Sequence, residues 1–132
     1  MPITVEWFTD EKTVIHYEYK GKWTWEELYN AIAISNKMID TVEGVVDTII
    51  DLRQSSMVPA NVFSHGKQAL ANAHPRQGKM VIVGAHRFIL TLYDTFVKVY
   101  NRPGEKLPTV FIATIEEAAQ YLEQIHASRD TA

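Results

Sequence analysis

The side chains best suited to hold a metal or move a proton near neutral pH are the five histidines His16, His65, His74, His86 and His126. A two-histidine metal site on a helix needs i,i+4 spacing, so that both rings face one way. His65 and His74 stand nine residues apart, about half a turn out of phase at roughly 3.6 residues per turn. No other pair falls within one element, so the spacing predicts surface or rim histidines and no metal ligands. Ser64 beside His65, with Asp51 a short way back in the chain, has the composition of a nucleophilic relay. Adjacent helical residues diverge by about 100°, however, and do not face each other. No G-x-S-x-G turn is present to lift a serine above a sheet.

Phosphate cradles are absent: neither G-x-x-x-x-G-K-[ST] nor G-x-G-x-x-G occurs, and Arg53 to Val58 contains no glycine. The adjacent carboxylates Glu26-Glu27 and Glu116-Glu117 sit at expected helix starts. There, capping and the positive helix end explain them without acid–base work. With no cysteine in the chain, disulfides, thiolate zinc sites and cysteine nucleophiles are excluded. These residues together predict a non-enzymatic domain without cofactor or metal.

Two segments invite a binding role. Asp51-Leu52-Arg53-Gln54-Ser55-Ser56-Met57-Val58-Pro59 follows an apolar run, at the sheet edge where α/β folds place ligand and partner sites. Asp51 is expected to fix the loop by accepting backbone N–H bonds. Arg53, Ser55, Ser56 and Asn61 are candidates for partner contact, and either serine for modification or for holding an anion near the next helix. The second segment, His86 to Tyr100, carries Phe88, Ile89, Leu90, Leu92, Tyr93, Phe96, Val97 and Val99. It is apolar over most of a helix circumference, which suits deep burial, an interface or the wall of a cavity. Trp7, Trp23 and Trp25 are expected to pack near the first helix.

The elements that must position these groups follow from hydrophobic rhythm. Ile3, Val5 and Trp7 alternate with polar residues, as do Ile15, Tyr17 and Tyr19 with His16 and Glu18. The short polar link between the two runs makes an antiparallel hairpin. Thr24-Trp25-Glu26-Glu27 reads as a capping box opening a helix to about Asp40, and Thr114 to Glu117 as a second. Val45 to Leu52, Met80 to Val83 and Val110 to Ile112 are apolar on both faces, the mark of central parallel strands. Helical stripes fall over about Ala60 to Ala73 and His86 to Tyr100. The order is ββαβαβαβα: an α/β domain with a mixed sheet of about five strands and four helices, and a frayed tail after Ala127.

The chain has 132 residues, 46% of them hydrophobic and 22% charged, which suits one domain. A net charge of −3 disfavours nucleic acid as a partner. Met1 to Phe8 lacks the basic and apolar regions of a signal peptide, and no stretch approaches the length of a membrane helix, which predicts a cytoplasmic protein.

From Ile3 to about His126 the chain resembles the STAS fold of anti-sigma-factor antagonists, and more narrowly the small stand-alone bacterial SpoIIAA-like proteins. The resemblance is carried by Ile49-Ile50-Asp51-Leu52, by Met80-Val81-Ile82-Val83-Gly84, and by Phe111-Ile112-Ala113-Thr114 leading into Glu116-Glu117-Ala118. It implies a binding or regulatory domain. Antagonists of this fold carry a phosphorylatable Asp-Ser-Ser-Gly motif where the helix after the third strand begins. This chain has Met57-Val58-Pro59-Ala60-Asn61 there, which tells against that switch. Two roles are therefore expected. One is a protein-interaction module, pairing with a partner or as a homodimer through Arg53 to Asn61 and the 86–100 helix. The other is an apolar-ligand or lipid carrier with Phe63, Phe88, Leu92, Tyr93 and Phe96 lining a cavity.

Overall fold

The structure, a computed structural model, describes residues 2–85, 90–91 and 109–130. The elements run β1 (Ile3–Trp7), β2 (Val14–Gly21), α1 (Trp25–Asp40), β3 (Val46–Ser55), α2 (Val62–Ala71), β4 (Gln77–Val83), β5 (Thr109–Ile112) and α3 (Ile115–Asp130). The five strands form one sheet in sequential order, with β1–β2 antiparallel and every other pair parallel. This is the expected α/β fold with a mixed five-stranded sheet. Three helices are complete among the described residues; of the expected 86–100 helix only Leu90 and Thr91 are described, and both are helical. No helix among the described residues is long and apolar enough to cross a membrane.

Alternation along the strands divides the core in two. Ile15, Tyr17 and Tyr19 of β2 and Val46 and Leu52 of β3 pack with Leu28, Ala31 and Ile39 of α1. Val14, Ile49, Val81 and Val83 face the other way, against Ala118 and Leu122 of α3. The helices thus cover opposite faces, and the period-2 pattern decides which residue meets which. The capping box at α1 is complete, with Thr24 accepting the Glu27 N–H and Glu27 accepting the Thr24 N–H. At α3 Thr114 accepts the Glu117 N–H at 3.1 Å.

Several boundaries differ from the hydrophobic rhythm. β3 begins at Val46, one residue later than expected, with Val45 exposed, and it continues past Leu52 through Arg53, Gln54 and Ser55. Gln54 and Ser55 stay in the ladder because β2 pairs with them: Lys20 lies opposite Gln54 and Gly21 opposite Ser55, beyond a bulge in β3. α2 starts only at Val62, because Asn61 holds φ at 63°, a left-handed conformation that cannot begin a helix. β4 begins at Gln77 instead of Met80. α3 is helical to Asp130, beyond Ala127.

Candidate functional site

At the carboxyl end of β2 and β3 the sheet face that carries α3 turns polar. Strand alternation puts His16 and Glu18 of β2 and Asp51 and Arg53 of β3 on this face, and the register sets Glu18 directly opposite Asp51. Asp51 is the centre of the group, its side chain only 2% exposed. Arg53 donates to it three times, from its backbone N–H at 3.1 Å, from Nε at 2.9 Å and from Nη2 at 2.8 Å. His16 Nε2 adds a fourth contact at 3.0 Å. Burial pushes the Asp51 carboxyl up, but the Arg53 side chain and backbone and His16 outweigh it and hold the group below the ordinary aspartate value. The same pairing raises the Arg53 guanidinium.

Asp51 is expected to fix the loop through backbone N–H bonds; the backbone N–H it accepts is that of Arg53, which lies within β3. Glycine at position 84 makes room for this arrangement. A Cβ there would lie 2.5 Å from Arg53 Cγ and 3.0 Å from the Arg53 backbone, and Gly84 holds φ at +76°. The tip of β4 thus admits the base of the Arg53 side chain because it has none of its own.

His16, Glu18 and Asp51 each offer a ligand atom within 4.8 Å of the others, the one such cluster among the described residues. All the Asp51 contacts above are made to the oxygens a cation would need, and Lys20 stands 3.0 Å from Glu18. A divalent ion would have to displace the guanidinium, so the geometry suits an internally neutralised brace better than a metal centre. The sequence places His16 at the surface or rim. It is half-buried and bonded, and the signal for this lies in the alternation that sets it two residues before Glu18.

The other described histidines are tied as well. His65 stacks on Trp25 with centroids 5.1 Å apart and bonds Tyr29. His74 bonds Asp40 at 2.7 Å and accepts the Arg76 N–H, and His126 bonds Asp47. The parts of the conceivable relay are not together: Ser64 donates to the Asn61 carbonyl, His65 meets Tyr29, and Asp51 meets Arg53 and His16. Burial holds the Tyr17 hydroxyl at about 12 and pushes Tyr19 higher still, so neither phenol titrates near neutrality.

Beyond Ser55, the last residue of β3, the chain forms an anchored loop. The Trp23 indole donates to Ser55 Oγ at 3.0 Å, and Ser55 Oγ donates on to the Met57 carbonyl at 3.3 Å. The Ser56 N–H bonds the Gly21 carbonyl at 3.0 Å. Val58 packs against the core, and the Trp25 indole donates to the Ala60 carbonyl at 2.6 Å. Of the candidate contact residues, Arg53, Ser56 and Asn61 are exposed, while Asp51 and Ser55 are buried. Of the two serines, Ser56 is the exposed one. Met57, which residue type alone does not single out, is 49% exposed at the top of the loop. The three tryptophans do gather around the α1 side of the sheet, Trp23 and Trp25 meeting edge to face at 5.1 Å. Phe63 lies in α2 with its side chain outside the described set. Phe88, Ile89, Leu92, Tyr93 and Phe96 fall outside the described residues altogether.

The Ser55 anchor has a measurable value. Ser55→Ala leaves a buried indole N–H without its acceptor and is expected to cost about 1–2 kcal/mol in urea unfolding. Ser56→Ala, at an exposed side chain, is expected to change stability by less than about 0.5 kcal/mol. Equal effects would show that the loop is not held from below. No family model, curated protein or solved structure matches the chain.

Proposed function

We propose that this chain is a non-enzymatic, STAS-like regulatory domain of the cytoplasm that binds a protein partner, a second copy of the chain being the first to test. In this reading the fourth helix occupies 86–100, the domain belongs with the SpoIIAA-like proteins, and the contact is made by Arg53 and the 56–61 loop.

The observation that carries the proposal is the loop itself. It is bonded from below by two tryptophans and by the end of β2, yet it presents the large apolar side chain of Met57 to solvent. Ordering a loop on binding costs affinity, and a loop already held in place avoids that cost. Methionine is enriched in contact surfaces because its flexible, polarizable side chain adapts to a partner. Beside it the Asp51–Arg53–His16 group is satisfied internally, which supports a structural brace more than a proton-transfer site.

The test is a photo-crosslinking amino acid placed at position 57 in producing cells, with one at Ile34 on α1, also exposed, as control. One recurrent protein adduct at 57, absent at 34, is the expected result. Adducts equally abundant and diverse at both positions, or none at 57, would overturn the proposal.

A further inference from the structure

A pocket of about 690 Å³ opens at the opposite end of the parallel strands from the 56–61 loop. It lies between the β1–β2 turn, the segment before β3 and the middle of α3. Its volume falls within the range of small-molecule sites, about 300–1,000 Å³. Phe8, Val14 and Leu122 give it an apolar lining. The charged side chains that line it are Glu11, Glu43 and Glu123, with no lysine or arginine among them. Among the described residues none of these glutamates has an ion-pair partner. Arg76, which donates to the Gly44 and Ile39 carbonyls behind this wall, is not a lining residue.

His126 also lines the pocket, and its orientation is fixed from beneath. The Asp47 carboxylate is fully buried and accepts the Lys79 backbone N–H at 2.6 Å. It also accepts from His126 Nε2. With Nε2–H given to Asp47, the neutral ring offers Nδ1 as an acceptor, and no described residue bonds Nδ1. Together the walls present an apolar body site, one nitrogen acceptor and three carboxylates with no compensating cation. Clefts lined by one sign of charge concentrate ligands of the opposite sign.

We propose that this pocket binds a small organic cation, a primary amine carrying an apolar body. Its ammonium N–H groups would meet His126 Nδ1 and the carboxylates, and its hydrocarbon part would lie against Phe8, Val14 and Leu122.

The test is titration of the full chain with 2-phenylethylammonium chloride at neutral pH and low salt, followed by ¹H–¹⁵N NMR. Saturable shifts confined to the pocket's lining residues are expected. The neutral 2-phenylethanol is expected to bind about tenfold more weakly, and phenylacetate not to saturate. The triple variant Glu11→Gln, Glu43→Gln, Glu123→Gln changes exposed residues only, so it keeps the fold, checked by circular dichroism. It is expected to lose about tenfold in affinity for the amine. Absence of saturation, equal binding of the alcohol or the acid, or unchanged affinity in the folded triple variant would each overturn the proposal.

Discussion

Truncating Arg53 to alanine is expected to cost about 3 kcal/mol at neutral pH, more than truncating its partner Asp51. The asymmetry follows from burial. Asp51 is almost wholly enclosed, whereas the Arg53 side chain is 47% exposed. Asp51→Ala returns the guanidinium to water, where it is well solvated. Arg53→Ala leaves a carboxylate inside the protein with only His16 and one backbone N–H to satisfy it, the costlier way to break a pair.

The same logic fixes the pH dependence. The folded-state pKa of Asp51 lies below its unfolded value. Its stabilising contribution is therefore present above the unfolded pKa of about 3.9 and is lost as pH falls through the folded value. The difference between wild type and Arg53→Ala should accordingly be large at pH 7 and shrink as the pH is lowered through the carboxylate range. Urea unfolding of wild type, Arg53→Ala and Asp51→Ala across that range checks both statements. A pH-independent gap, or a costlier Asp51→Ala, would show that Arg53 does not neutralise Asp51.

Gly84→Ala is expected to be nearly as damaging, about 3 kcal/mol. An L-residue held at φ +76° loses about 1–2 kcal/mol in the left-handed region. The added methyl would also sit 2.5 Å from Arg53 Cγ and 3.0 Å from the Arg53 backbone, so β3 or β4 must shift. Gly21 provides the control, with φ +61° and no atom within 4 Å of where a methyl group would stand. Gly21→Ala should show the backbone cost alone, about 1–2 kcal/mol. Because Gly84 and Arg53 are in contact, the double variant Gly84→Ala, Arg53→Ala should be less destabilised than the sum of the two. Thermal or urea unfolding of the wild type and the four variants decides this, and equal losses at the two glycines would remove the close-approach argument.

Much of this architecture is legible in residue types. Alternation marks β1 and β2, Thr24 with Glu27 marks the start of α1, and the two-sided apolar runs around Ile49, Val81 and Phe111 mark the parallel strands. The site is less legible, because its parts meet only through register. His16 and Asp51 are 35 residues apart, and their meeting depends on Glu18 lying opposite Asp51 across a parallel pair, which no local pattern encodes. His126 and Asp47 are 79 apart and come together only because α3 crosses the face opposite α1. The extension of β3 through Arg53 to Ser55 is equally hidden, since polar residues carry no hydrophobic rhythm and the β2 ladder alone keeps Gln54 and Ser55 in the sheet. The anchoring of the loop by Trp23 and Trp25 belongs to the same class. Their clustering follows from the sequence; their indole N–H bonds to Ser55 and Ala60 do not.

The most direct test of the loop as a protein-contact surface is native mass spectrometry of the chain isolated gently from its own host, beside Met57→Glu prepared in the same way. Wild type is expected to fly as an assembly heavier than one chain, and the variant, folded by circular dichroism, as a single chain. A wild-type protein found only as the bare monomer, or an assembly that survives a charge at position 57, would contradict the account.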